Sequence, residues 1–497
     1  MTLSSRLQLP DRKQLALALA SGLLYVFGLA PWDFWPISLL SVIVLFTLLS
    51  DQPAIKAGWL GWAWGTGMWL SGAAWLWVSI YEFGSTSAPT ASLMLLAVAV
   101  IMGFATALQS LLWRSLGEQR WPILGFTALW VVFEWLRSWV LTGFPWLYLG
   151  YGFLDTSLAG FAPIGGVFMV SALALLSALL VARMRPISWV IVGLIWLGGA
   201  TLRQHAFTHP LGTPISVSIV QGNIPQDDKW QENEQDAIIK IYRNLSRSEW
   251  GRDIILWPEA AITKFFDDAA ADLLDLDTKA IQQHSTLITG IPYVSEDGPP
   301  YRYYNSIIAL GMGRGLYEKQ RLVPFGEYIP FEQELRGLMP FFNLPMSSFS
   351  WGSEHQQPLQ AGLLRVQGSI CYEIAYPSLI QHQAAQADLF VIISNDAWFG
   401  GSHGPWQHFE MVRMRALENG RYFLSGTNNG ISAIVDPSGK VVRQAPQFQA
   451  TVLRGTIRAM TGLTPWTVWG NKLVLIPCFT ILILLAYRAR HQRRARS

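Results

Sequence analysis

The chain has 497 residues, of which 51% are hydrophobic and only 14% are charged. Soluble domains carry about 25% charge, so this composition excludes a disordered chain and argues against an ordinary soluble enzyme. A formal net charge of +3 is too small to call for nucleic acid, and two cysteines, Cys371 and Cys478, exclude a disulfide scaffold or a multi-cysteine metal centre.

The charges are unevenly spread. Residues 1–202 hold 16 of the Asp, Glu, Lys and Arg residues, residues 203–469 hold 47, and residues 470–497 hold six, five of them arginines at the end. This predicts a membrane-spanning helical domain over 1–202, an extramembrane domain over 203–469, and a final helix with a basic tail over 470–497. About 18 consecutive apolar residues suffice to cross a bilayer as a helix. Runs of this kind lie at 14–30, 34–50, 57–80, 91–113, 121–141, 157–182 and 187–202, with an eighth at 471–487. The first two are short and joined by Ala30-Pro31-Trp32-Asp33, so they fit two spans or one hairpin. Ala16, Ala18 and Ala20 would also suit a cleaved leader, but six further apolar runs follow and give cleavage no purpose.

Orientation follows from basic residues, which stay on the cytoplasmic side. With the first residues inside, Arg6, Arg12, Lys13, Lys56, Arg114, Arg120, Arg183, Arg185 and the terminal arginines are all cytoplasmic. The opposite segments near 81–90 and 142–156 contain neither Lys nor Arg. Both termini are thus expected in the cytoplasm and residues 203–469 outside. Sixteen of the 24 tryptophans precede residue 203, as suits membrane interfaces. Gly61 and Gly65 read as a helix-packing pair. Glu134 and Arg137, three apart in the fifth run, either pair with each other or reach a lipid headgroup.

Residues 203–469 alternate between strand and helix patterns. Strands are expected at Ile215–Gln221, Asp253–Trp257, Ser285–Tyr293, Asn305–Leu310, Leu316–Leu322, Leu363–Cys371, Leu389–Ser394, Tyr422–Asn428 and Ile431–Asp436. Helices are expected near 230–250, 267–284, 374–385 and 405–419. Apolar strands separated by helices argue for a layered α/β domain with a buried sheet. Leu338–Trp351 is apolar but aperiodic and contains two prolines, so it reads as a loop suited to a lipid surface or to burial against its own domain.

Cys371 closes a strand-like run and is the only cysteine of this domain. It is either an inert buried thiol or a nucleophile, and a nucleophile needs a base or a cation beside it. His403 and His408 are one source of a base. Gly400-Gly-Ser-His-Gly404 also fits a serine nucleophile elbow, but about seven residues separate the serine from the strand, where the elbow needs a sharp turn. Carboxylates are better supplied. Glu259 follows the apolar strand Ile254–Trp257, and Lys319 lies on the strand-like run that begins at Leu316.

Glu259 in W-P-E, Lys319 in Y-E-K-Q-R-L-V-P-F-G-E and Cys371 in I-C-Y-E follow one another in that order. This pattern resembles the nitrilase superfamily of carbon–nitrogen hydrolases, which implies an α-β-β-α sandwich and a Glu–Lys–Cys triad. Seven preceding helices and one final helix make the chain similar to the apolipoprotein N-acyltransferase family of the bacterial inner membrane. Gln221–Gln226 with Trp230, Tyr304-Asn305-Ser306, Asn395–Gly400 and Arg413–Glu418 extend the resemblance over nearly the whole chain.

The resemblance implies transfer of a fatty acyl chain from a phospholipid, through a thioester on Cys371, to the α-amine of a diacylglyceryl-modified apolipoprotein. Glu259 would be the base, and Lys319 would stabilise the oxyanion together with a backbone N–H near Tyr372. Glu327, Tyr372 and Glu373 would support the site, Trp230 would lie on a mobile lid, and Asn305 would help to position the catalytic groups. The plainer reading of Glu327 and Glu373 is an ion pair with Lys319. No metal or cofactor, membrane lipid surroundings and a monomeric state complete the expectation. Two rivals are a membrane-tethered amidase acting on a soluble amide, and a ligand-binding protein without turnover.

Overall fold

The computed structural model describes residues 9–84, 86–116, 121–295, 298, 301–330 and 349–496. The chain forms two compact units: residues 1–205 with 401–410 and 469–497, and residues 206–400 with 411–468.

The first unit is helical. Its main helices are Arg12–Leu24, Trp35–Ser50, Ala54–Gly72, Ala88–Ser115, Pro122–Leu136, Ala162–Val181, Pro186–Leu202 and Lys472–Arg496. Of the eight runs read as spans, three are long and apolar enough to cross a membrane among the described residues: Ala88–Ser115, Ser157–Val181 and Lys472–Gln492. Breaks shorten others. The run at 57–80 stops being helical at Gly72 and resumes at Trp75, and the first run tightens into a 3₁₀ turn over Tyr25–Gly28. Gly61 and Gly65 do serve helix packing, because a Cβ on either would collide with Ser110 or Thr106 of the neighbouring helix. Glu134 and Arg137 each find other partners among the described residues. The Glu134 carboxylate accepts from the Trp130 indole at 3.0 Å and the Leu149 amide at 2.8 Å, while the Arg137 guanidinium lies over the Trp69 and Tyr148 rings.

Residues 401–410 join this helical unit although they fall between strands in sequence. His403 Nε2 is bonded to the Gly72 carbonyl, and His408 stacks on Trp146. Both candidate histidine bases are therefore engaged in the helical unit, and so is the segment that carries Ser402.

The second unit is a two-sheet sandwich. Its strands are β1 (His209–Gln221), β2 (Ile254–Leu256), β3 (Thr286–Val294), β4 (Tyr303–Gly311), β5 (Gly313–Arg314), β6 (Leu316–Glu318), β7 (Leu359–Ala361), β8 (Leu364–Ile370), β9 (Leu389–Ser394), β10 (Phe423–Thr427), β11 (Ala433–Val435), β12 (Val441–Gln444) and β13 (Thr451–Thr461). Among the described residues one sheet has the order β13-β1-β2-β3-β4-β6 and the other β12-β11-β10-β9-β8-β7-β5. Each sheet has three parallel strands at its centre, β1-β2-β3 and β8-β9-β10, flanked by antiparallel ones.

Period-two alternation builds the layers. Val217 and Ile219 of β1, Ile254 and Leu256 of β2 and Ile288 of β3 share the inner face of the first sheet. They meet Val366, Ile370, Val391, Ile393 and Leu424 of the other sheet. The alternate residues Val220, Ile255 and Leu287 face outward against Ile238, Ile239, Tyr242, Leu273 and Leu276 of the helices Gln235–Leu245 and Ala270–Gln282. Each such buried side chain contributes about 1.5–3 kcal/mol of burial free energy.

Four strands fall outside the expected set: β13, which interleaves Arg454 and Arg458 with apolar residues, β12, exposed throughout, β7 with three residues and β5 with two. The run read as strand through Leu322 ends at Glu318, so Lys319 lies one residue beyond β6. Of the apolar loop expected at 338–351, residues through 348 lie outside the described residues, while the Ser350 amide donates to the Tyr303 carbonyl at 2.7 Å.

Gly290 of β3 lets the turn after β2 pack against the sheet. A Cβ there would lie 2.6 Å from the Ala260 nitrogen and 2.8 Å from the Glu259 Cα. Gly290→Ala is expected to cost about 1–3 kcal/mol by overpacking. Gly401→Ala, with open space around its new Cβ, should stay within about 0.5 kcal/mol. Thermal unfolding of both variants in detergent checks this; equal midpoints would contradict it.

Candidate active site

The C-terminal edges of parallel strands are where open α/β sheets present reactive groups. Glu259 follows β2, Cys371 follows β8, and Asn395 follows β9. β6 runs antiparallel to β4, which runs antiparallel to β3, so Lys319 leaves its sheet at that same edge.

Lys319 is clamped through its backbone. Its amide donates to the Asn305 carbonyl at 2.9 Å, and its own carbonyl accepts from the Gly352 amide at 2.8 Å. The ammonium is only 1% exposed and donates to Glu327 Oε1 at 2.8 Å, with Glu259 Oε1 at 3.7 Å. Burial alone would lower its pKa. The carboxylates of Glu327 and Glu259 overcome that and raise it, so the amine is held as a cation.

Glu259 is fixed at both oxygens. Asn305 Nδ2 donates to Oε1 at 2.7 Å and the Asn395 amide donates to Oε2 at 2.8 Å. The same Asn305 nitrogen reaches Glu327 Oε1 at 3.0 Å, and the Val323 amide holds the other Glu327 oxygen at 2.8 Å. Asn305 therefore bridges two carboxylates that share Lys319. Glu327 is the ion-pair partner expected for Lys319.

Glu373 is placed differently. Its carboxylate accepts from the Tyr317 hydroxyl and from the amides of Ile370, Gln320 and Arg321. It thereby ties the turn carrying Cys371 to the loop carrying Lys319. Burial pushes its pKa up to about 7, against the pull of those amide donors.

Cys371 opens a 3₁₀ turn directly off β8 with φ of +49°. That left-handed conformation is strained for any side chain with a Cβ, by about 1–2 kcal/mol, and such strain clusters at functional sites. Desolvation, followed by the Glu259 charge, pushes the thiol pKa well above its ordinary value, while Lys319 pulls it down. At neutral pH the group is a thiol, within electrostatic reach of a carboxylate able to take its proton. Tyr372 is buried beside it, edge-on to Tyr376. Trp230 is half-buried in the turn region ahead of the helix Gln235–Leu245.

Sequence reasoning missed two participants. Lys229 is fully buried, with its ammonium donating to the Glu259 carbonyl at 2.8 Å. Next to Asp227 and Asp228 it reads as part of a solvated charged run, and its only signal is adjacency to Trp230. Asn395 works through its amide, which sequence cannot display. Its side chain joins a chain of amides: Asn395 Nδ2 donates to Gln226 Oε1 at 2.7 Å, and Asn428 Nδ2 donates to Asn395 Oδ1 at 3.2 Å. Asn428 also grips the Ile224 backbone at both its amide and its carbonyl, which orders the segment leading to Lys229.

Residues 21–180 match the family described as apolipoprotein N-acyltransferase N-terminal domain, and residues 216–465 match carbon-nitrogen hydrolase. A protein of Azotobacter vinelandii named apolipoprotein N-acyltransferase is 43% identical over 495 residues, covering 96% of this chain and 95% of its own. The chain belongs to the apolipoprotein N-acyltransferase family. A Pseudomonas aeruginosa protein of the same name is also 43% identical, over 96% of this chain and 97% of its own. Among solved structures, Saccharomyces cerevisiae Nit3, a nitrilase-superfamily member, aligns with a TM-score of 0.38 and 18% identity over 50% of this chain and 91% of its own. The carbon–nitrogen hydrolase match and the paired sheets agree on a nitrilase-like fold for the second unit of this N-acyltransferase family member.

Charge placement predicts opposite effects on the thiol. In a Cys478→Ala background, iodoacetamide alkylation of Cys371 should keep rising through about pH 9, because the thiol pKa lies above its usual ~8.5. Glu259→Gln removes a raising charge and should move the profile to lower pH; Lys319→Met removes a lowering charge and should move it higher. Shifts of the opposite sign would contradict the arrangement.

Proposed function

We propose that this protein transfers a fatty acyl chain from a membrane phospholipid to the α-amine of diacylglyceryl-cysteine on apolipoproteins, the last step of bacterial lipoprotein maturation. Glu259, Lys319 and Cys371 are its catalytic residues. The observation that carries the reading is Glu259 held 3.7 Å from the Lys319 ammonium, with the strained Cys371 thiol feeling both charges. It occurs in a chain that matches relatives named apolipoprotein N-acyltransferase over nearly its whole length.

In the first half-reaction Glu259 takes the proton of Cys371 as sulfur bonds to the ester carbonyl carbon. The carbonyl π pair moves to oxygen, and the Lys319 ammonium faces that oxyanion. A donor so placed is worth about 10²–10³ in rate. Collapse expels the lysophospholipid alkoxide, which takes the proton back from Glu259 and leaves a thioester. In the second half-reaction the apolipoprotein amine attacks the thioester carbon, Glu259 accepts its proton, the C–S bond breaks as the amide forms, and Glu259 returns the proton to the departing Cys371 sulfur. Two substrates sharing one acyl-enzyme give ping-pong kinetics. Glu327 and Asn305 hold the charged pair, Tyr372 and Glu373 shape the turn that carries the nucleophile, and Trp230 belongs to the lid. The amidase rival shares these residues but has no use for a helical unit that has three membrane-length helices among the described residues.

Topology follows from the arginine distribution. The protein resides in the inner membrane with both termini cytoplasmic and residues 203–469 outside. In a cysteine-free background, Ser248→Cys should label with an impermeant maleimide in sealed cells and Ser497→Cys only after permeabilisation. Labelling of the terminal position in sealed cells would overturn the orientation.

Incubated with phospholipid alone, the protein should gain the mass of one fatty acyl group. Hydroxylamine should remove the adduct, Cys371→Ala should lack it, and Cys478→Ala should form it normally. A diacylglyceryl-cysteine peptide should discharge the adduct to an N-acylated product much faster than water does. Rapid hydrolysis without preference for the amine would favour the amidase reading, and no adduct in folded protein would favour a binding protein.

A further inference from the structure

Lys229 is a second buried cation that the triad chemistry leaves unexplained. Its side chain is 0% exposed, and its ammonium makes one hydrogen bond among the described residues, to the main-chain carbonyl of Glu259 at 2.8 Å. Removing an ammonium from water costs several kcal/mol unless anions compensate. A single bond to a neutral carbonyl does not repay that desolvation, and a neutral amide side chain could supply the same bond without it. What favours a cation here is the Glu259 carboxylate, joined by the Cys371 sulfur once it has lost its proton.

We propose that Lys229 is a positioning residue of the acyl-transfer centre: its ammonium fixes the backbone of the base Glu259 and supplies a second positive charge beside the buried carboxylates. This rests on the acyl-thioester reading above. Glu259 and Glu327 face Lys319, Asp396 adds a further carboxylate near the thiol, and Lys229 brings a second cation. When the thiol proton moves to Glu259 and the oxyanion forms, one negative charge shifts from carboxylate to substrate oxygen and the sum is unchanged. Without Lys229 that oxyanion would form in a desolvated site with one cation fewer to face it.

The other charged groups around the centre sharpen the assignment. Asp396, which follows β9, raises the Cys371 thiol further, and Asp227 and Asp228 precede Lys229 on its own loop. Lys319 holds Glu327 and faces the oxyanion, and Lys229 adds a second positive charge to a site with these further carboxylates. Burial lowers its pKa to about 8, partly offset by Glu259 and Cys371, so its charge is held by the anions it serves.

The test uses the full-length protein in detergent–phospholipid micelles, measuring the rate of Cys371 acylation by intact mass and the pH profile of Cys371 alkylation. Lys229→Met and Lys229→Gln should each slow acylation by about tenfold or more, and should move the alkylation profile to higher pH. Lys229→Arg, which keeps a cation, should retain most of the rate and the original profile. If Lys229→Met does not fold, the Gln and Arg variants carry the comparison. Acylation within about twofold of the unaltered protein in Lys229→Gln, or an unmoved alkylation profile, would overturn the charge role. Absence of any adduct on the unaltered protein would instead overturn the acyl-thioester reading itself.

Discussion

The Lys319 ammonium is the constraint around which the site is built. A cation 1% exposed cannot persist in a protein interior unless carboxylates face it, and here Glu327 at 2.8 Å and Glu259 at 3.7 Å do so. Those carboxylates need donors of their own. Asn305 bridges them, and the amides of Asn395 and Val323 take their remaining oxygens. A partly satisfied network of this kind would be worse than an apolar core. Its completeness fixes where each carboxylate oxygen points, so Glu259 is held in place within electrostatic reach of the thiol.

That network requires two sheets rather than one. Glu259, Asn305 and Lys319 come from the sheet containing β2, β4 and β6, whereas Cys371 and the Asn395 amide come from the ends of β8 and β9. The inner faces that pack Ile219, Leu256 and Ile288 against Ile370, Val391 and Ile393 bring those strand ends together. Glu373 then locks the arrangement by bonding amides on both the Cys371 turn and the Lys319 loop. Burial free energy thus sets the geometry, and a few charge-assisted bonds refine it.

Much of this is legible in residue order. β9 runs over the residues its apolar pattern marks, and Glu259 and Cys371 are readable as groups at strand ends because an apolar run stops just before Glu259 and a strand-like run ends at Cys371. Lys319 reads as a strand residue and lies one residue beyond the strand, since backbone pairing to Asn305 continues after the ladder has ended. Glu373 looks like an ion-pair partner because sequence shows charge but not the amides a tight turn gathers. Lys229 and the Asn395 amide are invisible for related reasons: one hides in a charged run, and the other acts through its backbone. β13 escapes the pattern because an edge strand with one exposed face tolerates Arg454 and Arg458. In the helical unit, hydropathy records apolar length but not the breaks at Gly72 and Tyr25 that shorten helices.

Glu259 and Lys319 are claimed to act as one device, the base useful only with the cation that shares its charge. A double-mutant cycle on the rate of Cys371 acylation tests this most directly. Glu259→Gln, Lys319→Met and the double variant would be compared under single-turnover conditions with phospholipid alone. If the pair is one unit, the double variant should be no slower than the worse single variant by more than about threefold. Losses that multiply across the two positions would contradict the claim, because each residue would then be contributing independently.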